Sequence, residues 1–232
     1  MKEFVLFGDR LRKNVTKKIF ISGGTGYVGR AVTRKLLERG HSVLALARAG
    51  SESKVTAGAQ LVTGNALKGQ SFVNSLEPGM TFVHLTGTPH PAPWKEKEFR
   101  AIDLASLRES AAAAQSVGVG HFVYVSVAQP APVMQAYLKV RGECESILAA
   151  MGLPRTILRP WYVLGPGHRW PVALKPVYSL LEAIPGTRES ALRLGLVTLE
   201  EMASALVWAV ENPTPTLEIL DVAQIRAKAR LV

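Results

Sequence analysis

The sequence predicts an α/β fold, a doubly wound parallel sheet with a small C-terminal lid or substrate section. Three observations predict it. Short apolar runs alternate with stretches of helical period from Lys18 to Leu158, the pattern of βαβ units wound right-handedly over a parallel sheet. The first apolar run ends in a cluster of glycines that opens a helix. The length, 232 residues, suits one such domain with a modest appendage better than two full domains.

Each element has its own signal. Ile19 to Ser22 is a short apolar run of the kind buried in a parallel sheet. Tyr27 to Arg39 reads as a helix, because Val28, Ala31, Val32, Leu36 and Leu37 recur at helical spacing and Gly40 suits its C-terminal cap. Strands are expected at Ser42 to Ala47, Gln60 to Val62 and Thr81 to Leu85. Trp94 to Gln115 is expected to be helical, with an alanine run in its last turns. A fifth strand is expected at His121 to Val125, a helix at Gln135 to Ala150 and a sixth strand at Arg155 to Leu158. Beyond Pro160 the rhythm breaks: Pro160, Pro166, Pro171 and Pro176, with Gly165 and Gly167, mark a loop-rich section. Helices are expected there at Val172 to Ala183 and Leu199 to Glu211, followed by a last apolar run, Leu217 to Val222. The organisation is then an extension over residues 1–16, an α/β core over 17–160, and a lid or substrate section over 161–232 that returns one strand to the sheet.

Composition narrows the function. The chain is 47% apolar and 20% charged, a soluble globular profile. The lone Cys144 excludes an internal disulfide and reads as a small buried helix residue. No apolar run approaches the ~20 residues of a membrane span, and the charged N-terminus does not resemble a signal peptide, so a cytoplasmic location is expected. The net charge is +10. Much of it sits in the tails, where Lys2, Arg10, Arg12, Lys13, Lys17 and Lys18 face only Glu3 and Asp9, and where Arg226, Lys228 and Arg230 add to it. Without a helix-turn-helix, zinc-finger or RNP pattern, no specific nucleic-acid partner is expected. No Cys, His, Asp and Glu set has metal-ligand spacing, so no metal is expected.

The glycine cluster carries the most chemistry. Gly24-Thr25-Gly26-Tyr27-Val28-Gly29 fits G-x-G-x-x-G, with Gly23 ahead of it, and it follows a strand and opens a helix. Glycines there let the backbone approach a diphosphate, and the helix start aims free N–H groups and a positive dipole end at it. The fold is therefore of the Rossmann type. An NAD site places an acid about 20 residues further on for the ribose 2′-hydroxyl. Here Arg48 holds that position, with Ser51 and Lys54 close behind, and a guanidinium can clamp a 2′-phosphate. NADP(H) is therefore expected over NAD(H).

With these motifs the sequence resembles the atypical and extended branch of the short-chain dehydrogenase/reductase superfamily, including the NAD-dependent epimerase/dehydratase and NmrA-like proteins. The resemblance runs from about residue 18 to 222. It rests on Ile21 to Gly29, on Val83-His84-Leu85-Thr86-Gly87, on Phe122 to Ser126, on Leu158-Arg159-Pro160, and on Val163 to Gly167. It implies that Leu85, Thr86 and Gly87 line the adenine ribose and that Pro160 and Val163 pass the nicotinamide carboxamide. The family often has Gly-Asp after the third strand; here Gly64 is followed by Asn65 and Ala66, and Asn65 can still hydrogen-bond the base.

The resemblance also implies Tyr-x-x-x-Lys on the helix after the fifth strand. This chain has Tyr137 with Arg141 at the fourth position and Lys139 at the second. Arg141 keeps a positive charge and ribose-bonding donors, but its fork does not fit a point-charge site. Ser126 stands where a serine would orient the substrate oxygen, while Val127 and Ala128 replace frequent hydroxyls. Tyr137 either transfers a proton, or merely packs on the cofactor or bonds a backbone carbonyl. His84, inside a strand, reads as a satisfied core histidine. Trp161, Tyr162, His168, Arg169 and Trp170 fit a substrate pocket and a lid core equally.

Three functions are thus expected in turn. The first is an NADP(H)-dependent oxidoreductase acting on a small carbonyl-like substrate. The second is a non-catalytic NADP(H)-binding sensor or scaffold. The third is a nucleotide-sugar epimerase or dehydratase, for which the roughly 70 residues after Pro160 leave little room. The partner is a small molecule, and a homodimer is compatible with the sequence.

Overall fold

Successive residues of a strand point to opposite faces of the sheet, and the buried strands of this chain use both faces for its core. In the computed structural model, which describes residues 16–165 and 194–232, Phe20, Phe82 and Phe122 line one face and Ile19, Ile21, Val83 and Val123 the other. Seven parallel strands form the main sheet: β1 (Lys18–Ser22), β2 (Ser42–Ala47), β3 (Gln60–Thr63), β4 (Thr81–His84), β5 (His121–Val125), β6 (Arg155–Leu158) and β9 (Leu217–Leu220), in the order β3-β2-β1-β4-β5-β6-β9. Two further strands, β7 (Tyr162–Leu164) and β8 (Leu196–Thr198), pair with each other in parallel.

The helices cover the two faces. On one side lie α1 (Tyr27–Glu38), α5 (Leu199–Glu211) and α6 (Val222–Ala229), packed on the aliphatic face. On the other lie α3 (Ala105–Val117) and α4 (Gln135–Ala150), packed on the aromatic face. There Phe82 stacks on Phe122 at 5.0 Å with an interplanar angle of 8°. The strand order reverses between β1 and β4, and ligands of open α/β sheets bind outside such a switch point.

Among the described residues the expected elements are present, with three differences. The helix expected from Trp94 begins with the single turn α2 (Glu96–Glu98) and continues as a π-helical stretch, Phe99–Leu104, before α3. The last apolar run ends as a strand at Leu220, and Val222 opens α6 instead, because Asp221 and Gln224 form a capping box there. The β7–β8 pair was not expected; three-residue strands carry too little period to be read. The expected helix at Val172 to Ala183 and the residues His168, Arg169 and Trp170 lie outside the described residues, as do residues 1–15 of the extension.

Candidate nucleotide and catalytic site

The glycine loop sits at the switch point. Gly23 has φ +78°, and a Cβ there would stand 2.7 Å from the Leu85 carbonyl carbon and 2.8 Å from the Thr86 nitrogen. The exits of β1 and β4 are therefore in backbone contact, an approach that only glycine permits. Ser22 O accepts from the Leu85 N–H at 2.9 Å in the same place. A Cβ at Gly29 would overlap the Gly23 carbonyl, so the start of α1 also lies directly on the loop.

The start of α1 is chemically open. Its N-cap, Gly26, has no side-chain cap, and no acidic residue stands in the first turn. The starts of α5 and α6, by contrast, are closed by capping boxes of Thr198 with Glu201 and Asp221 with Gln224. An uncapped, positive helix end such as this one at Gly26 suits an anion. Thr25 is partly buried beside them, Val28 packs on the aliphatic core, and the Tyr27 ring reaches the end of β7, where it meets Gly165. Thr86 Oγ1 is a buried polar atom without a partner among the described residues, placed where β4 runs out against the loop. The open helix start, the glycine cradle and this orphaned hydroxyl fit a dinucleotide.

Arg48 follows β2 directly, is exposed, and has no ion pair among the described residues. Its neighbour across the sheet is the exit of β3, where Gly64 N donates to Ala47 O at 2.9 Å. Asn65 comes next, and its Oδ1 accepts from the Leu67 N–H at 3.0 Å, which leaves the side-chain amide N–H group for a base edge. Ala66 packs on the aromatic core. Pro160 O accepts from Ala128 N at 3.0 Å, and Val163 packs on the aliphatic core from β7.

The residues expected to be catalytic have specific partners. Tyr137 and Arg141 stand four residues apart on α4, with the Arg141 guanidinium carbon 4.9 Å from the Tyr137 ring centre. Arg141 is turned into the protein. Its Nη1 donates to Tyr124 Oη at 3.0 Å and to Val125 O at 2.9 Å, and its Nη2 lies 2.7 Å from Asp103 Oδ1. The resemblance implies a ribose for this cation; the structure gives it a buried carboxylate, a phenol and a carbonyl. Lys139 is exposed on another face of the helix. Ser126 is buried, and its hydroxyl donates to Glu145 Oε1 at 2.6 Å. Glu145 also holds Arg159, through Nη2 at 2.5 Å, and Gln129.

Electrostatics follow from burial. The Tyr137 phenol is raised above its ordinary pKa by burial, with the Arg141 charge opposing and the Asp103 carboxylate reinforcing that shift. Burial, aided by the Arg141 charge, holds His84 down to about 3. His84 Nδ1 lies 3.0 Å from Ser22 Oγ and 3.1 Å from Ser110 Oγ, while its Nε2 has no partner among the described residues. Cys144 is buried on α4 and pushed up to about 11 by that burial. Trp161 packs beside Val127, Ala131 and Leu138.

Asp103, Thr88 and Glu145 had not been singled out from the sequence. A signal for Asp103 existed. Phe99 and Leu107, four residues to either side, are both buried, so a carboxylate stood on an apolar stripe. Such a charge needs a partner.

A seven-stranded parallel sheet that reverses at an open, glycine-built helix start defines a class of nucleotide-binding α/β domains. The chain belongs to the family described as NAD(P)H-binding, whose model matches residues 23–172. Among its relatives are the ceramide reductase of Caulobacter vibrioides, 22% identical over 90% of this chain and 65% of that protein, and the 2-alkyl-3-oxoalkanoate reductase of Stenotrophomonas maltophilia, 28% identical over 47% of this chain and 33% of that one. The chain spans less than two thirds of the length of the curated relatives it matches. Its fold is shared by a short-chain dehydrogenase/reductase superfamily protein of Agrobacterium tumefaciens solved with bound NAD. That protein is 18% identical, with a TM-score of 0.64 over 91% of this chain and 81% of the other. Among the described residues, no helix is long and apolar enough to cross a membrane.

Proposed function

We propose that the chain is an NADP(H)-dependent oxidoreductase that reduces a small carbonyl-like substrate. The observation that carries the reading is the uncapped start of α1 at Gly26, with Arg48, exposed and unpaired among the described residues, at the end of the neighbouring strand. Backbone N–H groups of the loop hold the diphosphate, and the Arg48 fork takes the 2′-phosphate that an acid would repel. A reduced nicotinamide held there would supply the hydride for the carbonyl carbon. Tyr137 supplies the proton: its phenol, kept neutral by burial, donates Oη–H to the carbonyl oxygen, leaving an alcohol and a phenolate next to the Arg141 charge. The carbonyl class accords with the names of the two reductase relatives.

One observation favours a second reading, an NADP(H)-binding protein without turnover. Ser126 and Arg141, the two groups expected beside Tyr137, are both engaged by carboxylates of the protein itself. The readings part on a simple assay. NADPH should bind more tightly than NADH in a fluorescence titration, and NADPH should be consumed with some member of an aldehyde and quinone panel. Tyr137→Phe should lower that consumption by about a hundredfold or more while leaving nucleotide binding in place. Equal binding of the two nucleotides would remove the cofactor preference, and consumption untouched by Tyr137→Phe would remove Tyr137 as the acid. Binding without consumption selects the second reading.

A further inference from the structure

Asp103 is the most buried carboxylate near the site, with 1% of its surface exposed. It lies in the π-helical stretch that precedes α3, and its two oxygens face different elements. Oδ2 accepts from the Thr88 N–H at 2.9 Å and from Thr88 Oγ1 at 2.5 Å. Oδ1 meets Arg141 Nη2 at 2.7 Å. Thr88 belongs to the loop after β4, the loop that carries Leu85, Thr86 and Gly87 toward the nucleotide. Gly87 lies directly over the ion pair: a Cβ there would stand 2.8 Å from Arg141 Nη2 and 3.1 Å from Asp103 Oδ1. One carboxylate thus ties together the nucleotide loop, the π-helical stretch and α4.

We infer that Asp103 is the positioning residue of the Tyr137–Arg141 pair: it holds Arg141 beneath Gly87, anchors the nucleotide loop through Thr88, and sets its negative charge against the cation that faces the Tyr137 ring. The inference deepens the oxidoreductase reading and rests on it for its catalytic meaning. A cation beside a phenol favours the phenolate, and a paired anion removes that help. The other groups around the pair do not replace it. On α4 the neighbour is Cys144, whose thiol is held neutral by burial; on β5 it is Tyr124, a neutral phenol; on β4 it is His84, neutral well below pH 7. Phe99 packs on Tyr137 at 4.8 Å and carries no charge. Only Arg141 and Asp103 bring charge to this phenol among its described neighbours. Burial keeps the Tyr137 phenol neutral, the form that carbonyl reduction uses, and Asp103 limits how far Arg141 opposes that.

The test is a phenolate absorbance titration of the purified chain without nucleotide. The Tyr137 step is identified as the one lost in the matching Tyr137→Phe variant. In Asp103→Asn, Arg141 acts unopposed and the step falls by about one pH unit or more, a tenfold change in ionisation constant; a smaller fall, or none, overturns the inference. Asp103→Asn leaves a buried cation unpaired and is at risk of not folding. The double variant Asp103→Leu with Arg141→Met removes both charges and keeps an apolar fill. If the two charges cancel, its step rises by no more than about half a unit, and a larger rise overturns the inference. NADPH binding by the unsubstituted chain is measured separately, so failure of the nucleotide reading is told apart from failure of this one.

Discussion

In the proposed reading, cofactor choice turns on Arg48. It is exposed and unpaired among the described residues, so no native contact is lost when it is changed. Its replacement therefore reports on the ligand rather than on the fold. Arg48→Ser should weaken NADPH binding by about tenfold or more, the loss of one paired charge-assisted interaction of roughly 1.5 to 3 kcal/mol. NADH binding should stay within about twofold, since that nucleotide has no 2′-phosphate to lose. A fluorescence titration of both nucleotides checks it, and parallel losses would mean that Arg48 does not face the ribose. The same logic explains why Arg141 behaves differently from Arg48 although both are arginines near the site. Arg141 is buried against Asp103, Tyr124 and Val125, so its removal disturbs the protein before it disturbs any ligand. Position, not residue type, decides which guanidinium can serve as a ligand contact.

Elements differ in how their ends are satisfied, and the difference separates structural from ligand-binding helices. α5 is held by Thr198, whose Oγ1 accepts from the Glu201 N–H at 3.1 Å while Glu201 Oε2 accepts from the Thr198 N–H at 2.8 Å. Thr198→Ala should cost about 1 kcal/mol and lower the melting temperature by roughly 2 to 4 °C for a chain of this size. Differential scanning calorimetry reads that shift, and an unchanged melting temperature would show the cap to be idle. α1 has no such cap to lose. Much of this was legible in the sequence, because long elements carry a period: α1, α4, α5 and the strands of the main sheet follow from apolar spacing. The β7–β8 pair, α6 and the π-helical stretch were not legible. Three-residue strands have no measurable alternation, and a π turn changes only which carbonyl an N–H chooses, not which residue types stand there. The glycine loop was readable because its chemistry is local. Asp103 meets Arg141 from 38 positions away in the chain, and Ser126 meets Glu145 from another element. Partners of that kind are set by packing and cannot be counted along a sequence.

At the scale of the whole molecule, the sheet buries two histidines that water would protonate. His84 is buried on β4 and held neutral down to about 3, chiefly by burial and then by the Arg141 charge. His121 begins β5, with its Nε2 3.0 Å from Thr156 Oγ1; burial first, and the Lys17 charge second, hold it down to about 4. Both values lie below the unfolded value of 6.5. Between these limits the unfolded chain binds protons that the folded chain refuses, so unfolding stability rises with pH there. The contribution of each histidine is complete above pH 6.5 and drains away as the pH falls toward the folded value. Each drains at up to about 1.4 kcal/mol per pH unit. Stability measured by urea unfolding should therefore hold from pH 8 to 7 and drop steadily from about pH 6 to 4. His121→Gln keeps an amide for Thr156 but cannot take up a proton in this range, so its stability curve should slope less steeply between pH 6 and 4 by about that single-histidine amount. If the substituted chain follows the same slope as the original, the buried histidine is not the source of the acid sensitivity, and the burial argument for β5 fails with it.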